Sequence, residues 1–402
     1  MKPIQEVRVA YLVTHPIQYQ APLLKRIACE ANISLKVFFA SDFSVRGFQD
    51  PEFARRIQWD VPLLEGYEYE FLPTIRTHDH ISFWQPLTYG LAHRFREGRF
   101  NVLWVHGYMR WPHWMAIATA KRLKMKILVR DEATAISMNR GPLKRIAKRA
   151  FFRCLSGLVD YFLAIGSLNA DYYALNGVDR SRIVNVPYAV DNSFFQRAAA
   201  QYSGRREEFR KSLGLKSGRP IILYVGKLTA RKCPDDLIEA YALLSRDGHQ
   251  EPDPYLIFVG DGELRFTLEQ RARELAWHSI VFVGFRNQQE IPAFYDLCDV
   301  FVIPSTLEPW GLVVNEAMTA GVLPIVSDRV GCAPDLVAGL GEVYPCGDVG
   351  ALTAALRRGL ARIGEPRLPD RLRLRVGAYG IDATAAGFEQ AVAAAVAAVA
   401  AG

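Results

Sequence analysis

Short apolar runs alternate with stretches of helical spacing along this chain, and the rhythm is clearest in its second half. There Ile221–Val225, Tyr255–Val259, Ile280–Val283, Val300–Ile303 and Leu323–Val326 read as strands buried on both faces. Between them Pro234–Leu244, Leu264–Ala276 and Leu312–Ala320 carry the spacing of amphipathic helices. Two-sided burial alternating with helices predicts a parallel sheet with right-handed crossovers. The first half repeats the plan less regularly, with strands expected at Val7–Val13, Ser34–Phe39, Val102–Val105, Lys126–Val129 and Tyr161–Ile165. A polar, charged stretch from roughly Gln196 to Arg219 reads as a linker with a short helix. Residues 1–200 and 201–382 are thus expected to form two doubly wound α/β domains. An Ala/Val-rich helix is expected over 383–402. Ligands in such folds bind outside the C-terminal ends of the strands, so a cleft between two domains is the expected site.

The 402 residues are half hydrophobic and 23% charged, which excludes a disordered or collagen-like chain and supplies core enough for two domains. No run approaches the roughly 18 apolar residues that span a bilayer, and the segment Met1 to Gln18 is too poor in apolar residues for a signal peptide. The six cysteines are scattered without a CxxC pair, the usage of a reducing cytoplasm rather than of a disulfide or zinc framework. A net charge of +7 and an isoelectric point near 9.0 favour an anionic partner without choosing among nucleic acid, acidic lipid and a phosphorylated small molecule.

The strongest chemical signal is Glu308-Pro-Trp310-Gly311-Leu312-Val-Val-Asn-Glu316, which follows the strand Val300–Ile303. Pro309 and Gly311 favour a turn that opens a helix near Leu312. That leaves Glu308 in a loop, Glu316 on the helix, and free backbone amides between them. Such amides suit a phosphate, and a carboxylate in the second turn can accept two vicinal hydroxyls. The same acids read alternatively as solvated surface residues, or as a glycosidase pair, whose side chains face across a sugar at about 5–10 Å. A second signal, Gly226-Lys227-Leu-Thr-Ala-Arg231-Lys232, places three cations in one strand-to-helix loop, a compact device for a diphosphate or else a solvated cluster. Gly260-Asp261-Gly262 and Gly284-Phe285-Arg286 end two further strands and read equally as turns or as ligand-lining loops. Neither GxGxxG nor GxxxxGK[ST] occurs.

Together these residues resemble the retaining nucleotide-sugar glycosyltransferases of the family 4 type, over about residues 218–350 and more loosely in the N-terminal half. The resemblance implies a GT-B fold, with two Rossmann-like domains facing across a cleft and the last helix crossing back to the first domain. The family pattern E-x-[FW]-G-x-x-x-x-E is met by Glu308 to Glu316. By resemblance Glu316 would hold the donor ribose, Glu308 the transferred sugar, and Lys227 and Lys232 the diphosphate. Lys227 stands where Arg is usual, and Cys233 where Gly is usual. The expected donor is a UDP- or GDP-linked sugar, with no cofactor and no metal, the cations replacing a divalent ion.

The N-terminal half would then bind the acceptor. After its first strand stands an HPIQY sequence, with His15, Gln18 and Tyr19 expected toward the cleft, or alternatively His15 capping a helix and Tyr19 packed. Glu132 occupies the place where the family often has an active-site His, and His106 ends another strand as a structural or an acceptor-side residue. The segment Arg140–Arg153 carries six cations and no acid. It reads as a face toward an anionic membrane or phosphorylated acceptor, or as a solvated face around a buried Ile146/Phe stripe. The expected activity is sugar transfer to a glycan or lipid-linked acceptor in surface polysaccharide synthesis, by a cytoplasmic protein peripheral to the inner membrane face. Rival readings are an epimerase of the same fold, a non-catalytic nucleotide-sugar-binding homologue, and a glycosidase or phosphorylase. Nucleic acid is not expected, because no reading motif accompanies the charge.

Overall fold

The computed structural model describes residues 6–50, 55–75, 82–138, 141–246, 253–275 and 278–400. The chain divides into two compact units. One comprises Met1–Phe48, Ile57–Tyr188 and Ile381–Gly402; the other comprises Gln49–Arg56 and Ala189–Gly380. Each is built on one parallel sheet.

The first sheet takes its strands from β1 (Val7–Val13), β2 (Ile33–Phe39), β5 (Glu68–Phe71), β6 (Val102–His106), β7 (Lys126–Arg130), β8 (Tyr161–Ala164) and β9 (Ile183–Asn185). Between β2 and β5 lies a separate ribbon, β3 (Phe48–Asp50) with β4 (Arg55–Ile57). The order across the sheet is β5-β2-β1-β6-β7-β8-β9. Alternate residues of β1 enter opposite cores, as two-sided burial requires. Val9, Tyr11 and Val13 join Leu23, Leu24 and Ile27 of the helix Ala21–Ala28, whereas Ala10 and Leu12 join Ala116, Ile117, Phe152 and Leu155. The Ala-rich helix Ile381–Ala400 packs on this first sheet, with Phe388 4.5 Å from Trp104, which stacks in turn on Tyr11 at 3.9 Å.

The second sheet contains β10 (Ile221–Val225), β11 (Tyr255–Val259), β12 (Ile280–Gly284), β13 (Val300–Ile303), β14 (Leu323–Ser327) and β15 (Glu342–Tyr344), in the order β12-β11-β10-β13-β14-β15. The stretch expected to be a linker is instead helical. Asn192–Ser203 and Arg206–Ser212 are helices of the second unit, and Phe209 of the latter packs 5.1 Å from Phe294.

In both sheets the strand order reverses once, between β1 and β6 and between β10 and β13. The crossovers leave on opposite faces there, so the loops at the strands' C-terminal ends diverge and leave a crevice. On one side of the second crevice, Gly260 has φ +144° and lies so near the neighbouring loop that a Cβ would meet the Gly226 carbonyl oxygen at 1.9 Å. The pairing of Gly260-Asp261-Gly262 with the loop after β10 is sealed by Leu228 N donating to the Asp261 carbonyl at 2.9 Å. Gly260→Ala is accordingly expected to cost roughly 3 kcal/mol of folding stability, read as a lowered urea midpoint with an unchanged m-value.

Candidate functional site

The loops after β10 and β13 are tied to each other at the second switch point. Thr306 donates to the Arg231 carbonyl through its N (2.9 Å) and its Oγ1 (3.0 Å), and an Arg231 guanidinium nitrogen donates to the Leu307 carbonyl at 3.2 Å. Across this seam the Lys232 ammonium pairs with the Glu308 carboxylate, and each side chain is only 15% exposed. Lys232 ends a short 3-10 turn, Ala230–Lys232, whose C-cap Cys233 has φ +47°. This left-handed backbone explains why glycine is the residue expected there. Glu308 is fixed from its other side by the loop after β14: its N donates to the Arg329 carbonyl (3.0 Å) and its carbonyl accepts from Gly331 N (2.9 Å). A Cβ on Gly331 would meet the Pro309 carbonyl oxygen at 1.9 Å. No chemical motif marks this third loop in the sequence.

Gly311, with φ +97°, turns the chain into the helix Leu312–Ala320 at the expected residue. No side chain caps that helix, and the amides of Leu312 and Val313 have no partner among the described residues. Both residues are half-buried, and their amides form the kind of helix start that receives an anion. Glu316 is not a solvated acid. It is 1% exposed, and its Oε2 accepts from the Tyr295 hydroxyl at 2.8 Å. Trp310, read from the sequence as donor-lining, is a packing anchor. It is 2% exposed, its indole N–H donates to Asn315 Oδ1 at 2.9 Å, and its ring lies 5.8 Å from Tyr379.

The remaining cations and loops are more local. Lys227 and Gly226 line the same loop, half-buried, with the Lys227 carbonyl accepting from the Tyr224 hydroxyl at 2.7 Å. Arg231 is exposed, and its guanidinium serves the seam described above. Asp261 accepts from Arg265 (3.1 Å) and from Gly262 N (3.0 Å), while Arg286 pairs with Glu290 at 3.2 Å, one helical turn away; Phe285 precedes it after the edge strand β12. Gly260 and Asp261 therefore buttress the Lys227 loop.

In the first unit a second polar cluster sits at the β1/β6 switch point. His106, the last residue of β6, meets Gln20 through Nδ1 (3.3 Å) and approaches both the Tyr188 hydroxyl (3.4 Å) and Glu132 (3.6 Å) through Nε2. Gln20 also accepts from the Tyr11 hydroxyl at 2.9 Å. The turn over Ile17–Gln20 thus brings Gln20, rather than Gln18, to His106; Gln18 and Tyr19 are half-buried beside it. Glu132 bonds the Tyr188 hydroxyl. Burial pushes its pKa up, but hydrogen bonds from His106 and Tyr188 and the charge of Arg130 outweigh this and hold it below the usual carboxylate range. Arg130, 1% exposed, donates to the Val186 and Pro187 carbonyls at 3.1 and 3.2 Å and lies 4.5 Å from the Tyr188 ring centroid. His15 caps no helix. It leans on Phe43 at 4.3 Å, and its buried Nδ1 has no hydrogen-bond partner. Among the described residues, no group of three or more His, Cys, Asp or Glu could hold a metal ion.

Burial, aided by the nearby charge of Arg110, lowers the pKa of His15 to about 4 and that of His113 to about 3. A base whose pKa is lowered by folding takes up its proton more readily when unfolded. Stability from these two groups is therefore lost as pH falls from about 6.5, toward 4 for His15 and toward 3 for His113. Asp131 acts oppositely, because burial raises its pKa to about 6. Heteronuclear NMR of the imidazole carbons is expected to show His15 and His113 uncharged at pH 6; midpoints near 6.5 would contradict their burial.

Comparison with known proteins bears chiefly on the second unit. Residues 205–368 match the family model of the Glycosyl transferases group 1. An uncharacterised glycosyltransferase of Methanocaldococcus jannaschii is 37% identical over 131 residues, covering 32% of each chain. The GDP-mannose-dependent alpha-(1-6)-phosphatidylinositol monomannoside mannosyltransferase of Mycolicibacterium smegmatis is 34% identical over 183 residues, covering 43% of this chain and 45% of that protein. Such matches span about a third to just under half of those relatives' own lengths. Among solved structures, that of Anabaena HepE in complex with UDP superposes with a TM-score of 0.72, covering 96% of this chain and all of the other at 14% identity. This likeness concerns the fold, and with the two Rossmann-like sheets it establishes the GT-B type of α/β architecture. The segment 205–368, which holds Lys232, Glu308 and Glu316, is the part of the chain that matches the group 1 glycosyltransferase model.

Proposed function

We propose that this protein is a glycosyltransferase that moves a sugar from a UDP- or GDP-linked donor to an acceptor hydroxyl, with retention at the anomeric carbon. The observation that carries this reading is the Lys232–Glu308 ion pair at the second switch point, beside the unpartnered amides of Leu312 and Val313. A cation and two helix-start amides suit a diphosphate. When the sugar–phosphate bond breaks, negative charge gathers on the leaving diphosphate, and fixed donors that need no reorganisation stabilise it most in the transition state. An arriving diphosphate displaces Glu308 as the counter-ion of Lys232, which frees the carboxylate to accept a sugar hydroxyl. Glu316, held from one side by Tyr295, takes the ribose in this reading. Lys227 and Arg231 add positive charge, so we propose that no divalent ion is required. The family model over 205–368, the GDP-mannose in the name of the mycobacterial relative and the UDP in the HepE complex support a nucleotide-sugar donor.

The acceptor belongs to the first unit in this proposal. Glu132, held by His106 and Tyr188, stands where the family often has its His, and it hydrogen-bonds a hydroxyl of the acceptor or of the transferred sugar. We further propose a glycan or lipid-linked acceptor of surface polysaccharide synthesis, met at the inner face of a membrane. The helix Pro142–Ser156 supports this through exposed Lys144, Arg145, Arg149 and Arg153 around Leu143 and Ile146. Ile146 is thus a surface residue, not part of a buried stripe; Arg140 lies outside the described residues. Each such cation contributes about 1 kcal/mol near an anionic surface. Lys148 differs, its ammonium lying 5.1–5.3 Å from the Tyr108, Phe151 and Phe152 rings.

Lys232→Ala and Glu308→Gln are each expected to lower turnover of the nucleotide-sugar by roughly 100- to 1,000-fold, with far-UV circular dichroism unchanged. Turnover of the unaltered chain should persist in EDTA. Variant rates within a few-fold of the unaltered chain would overturn the assignment.

A further inference from the structure

The first unit carries a cluster of exposed aromatic side chains that its core does not need. Trp84 is 58% exposed and Trp111 36%, with ring centroids 5.3 Å apart and planes inclined at 42°. Phe83 stands edge-on to Trp84 at 4.8 Å. The cluster is held in place by backbone: Trp111 N donates to the Phe83 carbonyl at 2.8 Å, and the Arg110 guanidinium to the Ser82 carbonyl at 3.2 Å. Trp111 opens the helix Trp111–Arg122 directly after the loop that leaves β6, so the rings belong to the β1/β6 switch point and its polar cluster. Covering such rings is favourable, and an exposed apolar patch beside a crevice marks a binding surface.

We propose that Trp84 and Trp111 form a stacking platform for a sugar ring of a glycan acceptor. Naming that sugar an acceptor rests on the glycosyl-transfer reading. A pyranose has one face of C–H groups, polarised by the ring oxygens, which suits the electron-rich face of an indole. Its rim of hydroxyls needs donors and acceptors: Arg110 stands next in sequence to Trp111, and His106, which contacts Glu132, ends the strand from which this loop leaves. A bilayer fits the patch less well. The helix Trp111–Arg122 bears no cation before Lys121, and the neighbouring guanidinium of Arg110 alone does not make the ring of charges that phospholipid headgroups take. Those charges stand instead on the helix Pro142–Ser156.

The test is saturation-transfer NMR of maltotetraose, cellotetraose and mannotetraose with the unaltered chain, Trp84→Ala, Trp84→Tyr and Trp111→Ala. UDP- and GDP-induced thermal shifts and binding to phosphatidylglycerol vesicles are measured in parallel. At least one tetraose is expected to bind at millimolar concentration, with upfield shifts of its ring C–H signals. Trp84→Ala should weaken it about tenfold, Trp84→Tyr should largely restore it, and the nucleotide shift should not change. Absence of binding by all three sugars, or undiminished binding to Trp84→Ala, would overturn the platform. Vesicle binding that Trp84→Ala abolishes, without sugar binding, would overturn it in favour of a membrane surface. Sugar binding that depends on Trp84 in a chain with no nucleotide shift would leave the platform standing and remove the donor assignment.

Discussion

An ammonium and a carboxylate largely withdrawn from water are tolerable only in each other's company, since stripping the partner from such a pair costs on the order of 3–5 kcal/mol. In this protein that constraint joins Lys232 to Glu308 and, through them, the two loops at the reversal point of the second sheet. The seam is reinforced by the bonds of Thr306 and Arg231, and Glu308 is braced by Gly331 from the loop after β14. Three loops from three strands therefore converge on one charged pair. A ligand that displaces Glu308 from Lys232 must itself be anionic, and the proposed diphosphate meets that requirement.

The two sheets share one structural grammar. Strands buried on both faces must be covered by helices on both sides, and a change of covering side opens one crevice per sheet. In the second unit the crevice is lined by cations and helix-start amides. In the first it is lined by imidazole, amide and phenol groups and by the exposed carboxylate of Glu132, with indoles at its margin. The division of chemistry matches a reaction in which one partner is a diphosphate and the other carries hydroxyls.

Much of this was legible in the chain itself. Runs such as Val7–Val13 and Ile221–Val225 are uniformly apolar because both faces are buried, and they stand where the pattern puts them. The strands it left out of the two large sheets are edges: Glu68–Phe71, Ile183–Asn185 and Glu342–Tyr344 are short and partly exposed, so hydrophobicity does not mark them. Glu308 and the turn at Gly311 were readable from spacing alone. The burial of Glu316 under Tyr295 and of Trp310 against Tyr379 was not, because each partner arrives from a distant helix or loop. The choice of Gln20 over Gln18 was hidden for another reason: the turn at Ile17–Gln20 rotates the chain after the strand, and alternation no longer tells which residue faces β6. Likewise Arg130 and Tyr188, which frame Glu132, carry no motif.

The most direct examination of the central claim is a crystal structure of the protein grown with UDP or GDP. The β-phosphate is expected against the Lys232 ammonium and the amides of Leu312 and Val313, with the Lys232–Glu308 contact opened and the ribose at Glu316. A nucleotide bound away from the loops after β10 and β13, with that ion pair intact beneath solvent, would contradict it.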